Sequence, residues 1–379
     1  MAKKKLLFFS IFIIIILVFV LTIYNIIYKN NNIYLNNKDE APNFISIMLE
    51  ETASSGEYKV SKSNKWPSKG YIFNNEMSYC NNGSTLTWNE NDNSVSVNIN
   101  KTDKCYVYFD IYQLTLAEYI KSQYTGTQGE NSLYYHNSTL TNGAGDNSYR
   151  YAGASDSVNN YICLGSDATT CPDANLFRII GVFGNQTKVI RAKSVGYQQW
   201  HTSESNTWSS SSLNAYLNGT YLTSLGTIAE KIATTTWKVG GGSGSNISAS
   251  VPATAYKNEV GSSASTTIID KKIGLMYVSD YGFAASPSAW TKILGDYDGT
   301  DANGTSIKTI NWMYMGYNEW TISRHSDNTN SAFFVNSTGN VLGSNVRSDN
   351  GVRPSFNLES SVKYVSGSGS MSDPVRVTD

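Results

Sequence analysis

Leu176-Phe177-Arg178-Ile179-Ile180-Gly181-Val182-Phe183 is rich in β-branched and aromatic side chains and reads as a strand. Gly184-Asn185 supplies a turn, and residues 187–192 return as the antiparallel partner. Before this hairpin, residues 113–124 (QLTLAEYIKSQY) bring Leu114, Leu116, Tyr119 and Ile120 to roughly one side of a helix. After it, Ser209 to Ser212 offer caps for a helix over 208–217, with Leu213, Tyr216 and Leu217 as its apolar face. A short helix at 228–232 leads to a strand at 235–239. Residues 240–245 (GGGSGS) read as a flexible connection and lack the lysine of a phosphate loop. A strand at 272–278 and a helix at 279–286 come next. Short strands at 319–323, 332–335, 341–345 and 353–357 close the chain. Helices early and hairpins late indicate an α+β domain rather than alternating β/α units.

Upstream, residues 57–110 change to period-two patterning, as in Thr85-Leu86-Thr87-Trp88 and Cys105-Tyr106-Val107-Tyr108-Phe109. Asn81-Asn82-Gly83 lies between as turn chemistry. This predicts a small β module over 56–110, followed by the large domain over 111–379. The four cysteines allow three connectivities. Cys80–Cys105 and Cys163–Cys171 close the short loops within one module each, and free thiols are the alternative. A module of this size is marginal alone, so a bridge within it would matter.

The N-terminus carries a basic tip (1–5, with Lys3-Lys4-Lys5) and then an uncharged apolar run over 6–28. About 20 apolar residues span a bilayer as a helix, so the run reads as a transmembrane signal anchor. Retained basic charge orients the N-terminus to the cytoplasm and the remainder outside, a single-pass cell-membrane topology. A cleaved signal peptide is the rival, but no A-x-A pattern ends the run. Residues 29–55 read as a polar, Asn-rich stalk, with a short helix expected over 44–51. Four cysteines beyond the anchor suit an oxidising, extracellular location.

A net charge of −1 gives no electrostatic footprint for nucleic acid. Charged residues make up only 16% against 26 Tyr and 30 Gly, so solubility rests on hydroxyls and amides. Such a mixture serves adaptable binding surfaces, and AT-rich codon usage would produce it too. The three histidines, His136, His201 and His325, have no metal-ligand spacing, so no metal and no cofactor is expected. Nothing forms a nucleophile elbow. Residues 296–304 (DYDGTDANG) have a faint calcium-loop look without the closing Glu, leaving a calcium site or a solvated turn.

Phe177 to Ile180, Leu213 to Leu217 with Asn218, Leu275 to Ser279, and the closing Gly351-Val352-Arg353-Pro354 fall in one order. In these stretches, residues 113–379 resemble a family of uncharacterised bacterial surface domains with a C-type-lectin-like fold, related to formylglycine-generating enzymes. The resemblance implies a compact core with irregular loops and a variable ligand face. The enzyme branch places its oxidising cysteine in the C-terminal half, where copper is bound. This chain has no Cys after Cys171, so that activity is not carried over.

The leading expectation is a membrane-anchored, adhesin-like binding protein for a surface glycan or protein, without catalytic residues. Candidate contacts are Tyr314, Tyr317, Asn318, Trp320, Arg324, His325, Asn328, Asn330, Asn345, Arg347 and Asp349. If the face of Trp320 and Ile322 is core, only residues after Ser323 reach ligand. Arg178 and Arg353 are expected to anchor loops. Two other classes stay open: an extracytoplasmic enzyme of divergent activity, and a structural cell-envelope protein.

Overall fold

The computed structural model describes residues 44–53, 55–63, 66–67, 70–89, 94–98, 102–261 and 267–378. The expected anchor over 6–28 and most of the stalk lie outside these. Among the described residues no helix is long and apolar enough to cross a membrane. The chain divides into two units, 1–113 and 114–379, each sheet-rich and each holding one disulfide.

In unit 1, β1 (Phe44–Glu50), β2 (Tyr58–Val60), β3 (Tyr71–Cys80) and β6 (Lys104–Ile111) form a sheet in the order β2-β1-β6-β3. The hairpin of β4 (Thr85–Asn89) and β5 (Ser94–Asn98) forms a second, two-stranded sheet. Along β6 the odd positions Cys105, Val107 and Phe109 are buried. Val107 and Phe109 pack with Ile47, Val95, Trp66, Phe73 and Trp88 in a small core. The helix expected over 44–51 is a strand. Phe44–Leu49 runs parallel to Lys104–Phe109, a long-range pairing that local patterning does not announce. Residues 44–50, expected within the stalk, therefore belong to the sheet of unit 1.

Cys80 and Cys105 sit opposite one another in the antiparallel β3–β6 register and are bridged. A loop of 25 residues corresponds to about 3–4 kcal/mol of unfolded-state restriction, a large share for so small a core. Asp103, beside the bridge, accepts the N–H groups of Asn82 at 2.8 Å, Ser84 at 3.0 Å and Lys104 at 2.7 Å, which shapes the Asn81-Asn82-Gly83 turn.

Unit 2 begins with α1 (Leu116–Ser122). Thr115 and Glu118 make a capping box that starts the helix, and Leu116, Ala117 and Ile120 face inward. Next come β7 (Leu133–His136), β8 (Ser148–Tyr151), β9 (Tyr161–Cys163), β10 (Leu176–Phe183), β11 (Gln186–Arg191), β12 (Tyr197–Gln199), β13 (Thr235–Lys238), β14 (Ile268–Lys271) and β15 (Ile273–Gly274). The C-terminal part adds β16 (Glu319–Arg324), β17 (Ser331–Val335), β18 (Val341–Asn345), β19 (Asp349–Gly351), β20 (Ser355–Asn357), β21 (Tyr364–Ser366) and β22 (Val375–Val377). Two further helices matter below, α2 (Pro252–Glu259) and α3 (Val278–Ala284).

The larger sheet runs β15-β20-β11-β10-β9-β22-β21, with β8 on β10 and β7 on β8. At its centre is the β10–β11 hairpin, turned at Gly184. Phe177, Ile179, Ile180, Val182, Val189 and Ile190 are buried there, so both strands are covered on both faces. A second sheet runs β12-β19-β16-β17-β18. Cys163–Cys171 ties β9 to the segment preceding β10.

Between the sheets lies a buried set of charges. Asp280, in the first turn of α3, accepts from Lys188 on β11 at 2.6 Å and pairs with Arg150 on β8 at 3.5 Å. Arg150 also donates to Asp146 at 2.7 Å. Asp280, Lys188 and Arg150 are at most 5% exposed. Removing one partner from such a set leaves an uncompensated buried charge, a loss of about 3–5 kcal/mol. Asp280→Ala is therefore expected to lower the urea midpoint of unit 2 by that equivalent without changing the slope. A midpoint within experimental error of wild type would show that the cluster does not hold the sheet to α3.

Candidate functional site

The hairpin joining β16 to β17 gathers part of the expected surface. Its loop, residues 325–330, is closed by a side chain from elsewhere. Asn206 Nδ2 donates to the carbonyls of His325 at 2.7 Å, Asn328 at 2.8 Å and Ser331 at 2.7 Å. Asn206 Oδ1 accepts from Arg324 at 3.2 Å, and its backbone N–H reaches Thr329 O at 2.7 Å. At 2% exposure, Asn206 is an internal staple for an otherwise exposed loop. One amide among many in an Asn-rich sequence carries no signal of this, so sequence reasoning passed over it.

The Gly-rich segment 240–245 is not a loose connection. Gly242 N–H donates to Arg324 O at 3.1 Å and Ser326 N–H to Gly242 O at 2.9 Å, a bridge alongside the hairpin. Gly241 has φ +69°, and a Cβ there would lie 2.0 Å from Arg324 O, so no other residue fits. Gly244 N–H then reaches both carboxylate oxygens of Asp327, at 3.1 and 3.2 Å. The glycines let the backbone approach β16 rather than swing free.

His325 lies in the slot so formed. Its ring stacks on Phe333 with centroids 4.0 Å apart. A Cβ on Gly343 would meet its Nε2 at 2.3 Å, so the slot exists because β18 carries glycine there. Nδ1 lies 3.5 Å from Asp327, and Nε2 is enclosed without a partner. Burial pushes the imidazole below its ordinary range, with Asp327 pulling the other way. The Gly244 amide, and then the neighbouring imidazole, hold Asp327 below the usual carboxylate range.

Trp320 is not a surface residue. It is fully buried, its indole donates to Gln198 O at 2.9 Å, and Thr321, Ile322 and Ser323 beside it are also enclosed. The reason is that β16 is the middle strand of its sheet, flanked by β19 and β17. Arg324 is turned inward as well, with Nε donating to Val239 O at 3.1 Å.

The other candidates divide between two places. Asn328 and Asn330 sit in the 325–330 loop, Asn345 pairs opposite Ser331, and Arg347 lies 3.6 Å from Glu204. Tyr314, Tyr317 and Asn318 gather at the far end of β16, where Tyr314 and Asn318 bind the backbone of Ser337. A six-residue strand separates the two ends by about 17–20 Å. Asp349 pairs with Gln199 on the β12 side. The surface reachable around the hairpin therefore includes Glu204, Asp327, Asn328, Asn345 and Arg347, all exposed and carried on a pinned frame.

Arg353 and Arg178 are internal. Arg353 grips Glu319 through two hydrogen bonds and also donates to Met313 O at 2.8 Å. Gly351 N–H reaches Asn318 O at 2.8 Å, so the Gly-Val-Arg-Pro stretch locks both ends of its turn onto β16 and the segment before it. Arg178 bonds Asn160 at 2.6 Å and Ser155 at 2.7 Å, with its guanidinium between the rings of Tyr161 and Trp312. In the 296–304 loop, Asp301 is buried and accepts from the amides of Asn303 and Thr305 at 2.9 and 2.7 Å, which makes it the staple of a turn.

Sequence reading missed one further group. Glu259, at the end of α2, is 2% exposed and accepts from the N–H groups of Val278 at 3.0 Å and Ser279 at 2.8 Å, and from the hydroxyl of Ser323. Burial pushes its carboxyl up to about 7, against these donors. Nothing in the local sequence (AYKNEV) marks this acid as internal.

Residues 184–360 match a family described only as a domain of unknown function, DUF6273. The match takes in the hairpin and the Gly-Val-Arg-Pro stretch. No curated protein and no solved structure matches the chain.

Two outcomes follow from this geometry. Asn206→Ala takes its amide from three carbonyls. Ser331 O and Asn328 O keep the N–H groups of His325 and Ser331, and His325 O is left stranded, a loss of about 1–3 kcal/mol. In differential scanning calorimetry the melting temperature should fall by roughly 2–12 °C, at about 2–4 °C per kcal/mol for a domain of this size; an unchanged Tm would show that the loop closes without the staple. For Glu259, the folded chain keeps a proton between the ordinary carboxyl range and about 7, where the unfolded chain has lost it. Its contribution is complete at low pH and is lost as pH rises through 7. Glu259→Gln should flatten the fall in Tm between pH 5 and pH 8 relative to wild type. Parallel curves would assign that titration to another group.

Proposed function

We propose that this is a membrane-anchored, extracytoplasmic ligand-binding protein, adhesin-like in organisation. Unit 2 presents its ligand face on a C-type-lectin-like scaffold, and the ligand is a surface glycan or protein. The observation that carries the reading is the pair of formed disulfides, one in each unit, since such bridges persist in oxidising compartments. The basic tip and the apolar run over 6–28 support a single-pass anchor with the units outside. The contact surface is the 325–330 loop with Asp327, Asn328, Arg347 and Glu204. Amides and charges held on a stapled loop meet a polar ligand with little ordering cost. His325 and Arg324 shape this loop from beneath.

A second reading, an extracytoplasmic enzyme of divergent activity, draws on the hydroxyl of Ser323 against the Glu259 carboxyl, a perturbed acid of the kind found at reactive sites. Its enclosure favours a structural role instead.

The test is a glycan-array and cell-surface capture screen with oxidised residues 40–379. Asn328→Ala combined with Arg347→Ala should weaken capture about tenfold or more while leaving the melting temperature unchanged. Capture unaffected by these exposed changes, or absent from every surface, would remove the proposal.

A further inference from the structure

We infer that unit 1 carries a separate binding face, a tyrosine platform for a neutral glycan chain. The even positions of β6, Lys104, Tyr106, Tyr108 and Asp110, point away from the side on which Cys105, Val107 and Phe109 are buried. Tyr79 on β3 stands opposite Tyr106, with ring centroids 5.2 Å apart and 27° between planes. It also stacks at 6.4 Å on Tyr108. Tyr58 on β2 meets Tyr108 edge-on at 4.8 Å. Four rings from three strands thus share one face, and Tyr79 is 49% exposed.

The platform is built at both ends. Beside Tyr79–Tyr106, the Cys80–Cys105 bridge fixes the register of the two strands that carry them. At the other end, Asp110 accepts from Tyr58 Oη at 2.5 Å and from Asn74 Nδ2 at 3.1 and 2.9 Å. Between Asn74 and Tyr79 the register shifts. Ser78 secures that irregularity by donating to Asn74 O at 2.6 Å and accepting from Tyr108 N–H at 2.9 Å. Rings held in this way lose little freedom on binding.

Charge complementarity selects the occupant. Along β6 the charges of this face are Lys104 at one end and Asp110 at the other, with only rings between; Glu50 of β1, next to Asp110, is buried and taken up by the amides of Gly56 and Ile111. A polyanion would oppose Asp110 and a polycation would oppose Lys104, so a neutral chain fits the row. Sugar rings present flat patches of C–H bonds that pack on the ring surface left exposed, of which Tyr79 offers the most. Their hydroxyl edges find hydrogen-bond partners in the tyrosine hydroxyls.

Affinity electrophoresis of the full chain in mild detergent tests this. The neutral probes are hydroxyethylcellulose, glycol chitin, glycogen, mannan and xylan, with alginate as the polyanion. At least one neutral polysaccharide should retard the wild type. Tyr79→Ala with Tyr106→Ala should weaken retardation about tenfold, Tyr79→Phe should keep it, and peptide mapping should find Cys80–Cys105 intact in each. The single Tyr79→Ala variant, at an exposed position, guards against misfolding and should show a partial loss. Retardation by no neutral probe, by alginate alone, or equally for wild type and double variant would overturn the inference. So would loss caused by Asn328→Ala with Arg347→Ala instead, an outcome that leaves the unit 2 reading standing.

Discussion

Unit 2 depends on one buried interaction, the sharing of Asp280 between Lys188 and Arg150. Ions leave water at a cost of several kcal/mol each, so they stay buried only where partners meet in good geometry. That requirement links β8, β11 and α3 at one point. The same helix turn offers the N–H groups of Val278 and Ser279 to Glu259, which in turn takes the hydroxyl of Ser323 on β16. A chain of polar contacts thus runs from the larger sheet through α3 to the middle strand of the second sheet. Apolar packing around it is non-directional, whereas these contacts admit one arrangement.

The candidate surface inherits its rigidity from that chain. The strand that holds Ser323 continues directly into Arg324 and the 325–330 loop, and Asn206 closes the loop from the other side. Gly241 and Gly343 then allow backbone and imidazole to approach where a side chain would stand. Unit 1 reaches order differently. Its core is small, and a disulfide across β3 and β6 supplies restriction that apolar burial alone would not.

Much of this was legible in the residues. The β10–β11 hairpin, the amphipathic helix within 113–124 and the late hairpins followed from local patterning, and loop length favoured both disulfide pairings. Misreadings share one cause, a partner distant in sequence. Residues 44–50 look locally helical or neutral and become a strand only because β6, more than 50 residues on, pairs with them. The glycine run at 240–245 looks like a linker and is ordered by contact with Arg324 and Asp327. Trp320 has the chemistry of a contact residue, and its place in the centre of a sheet removes it from the surface.

Sequence by itself determined the division into a small β module and a larger mixed domain and the apolar run behind a basic tip, and it favoured the disulfide pairing that the structure shows. Periodicity, turn residues and loop length are local properties, and they are written in consecutive residues. Only the tertiary structure decided which acids are internal, which asparagine staples the hairpin, and which tyrosines share a face. Those outcomes depend on which strands become neighbours, and burial, not residue type, then sets whether a carboxylate, an amide or a ring serves the core or meets a ligand.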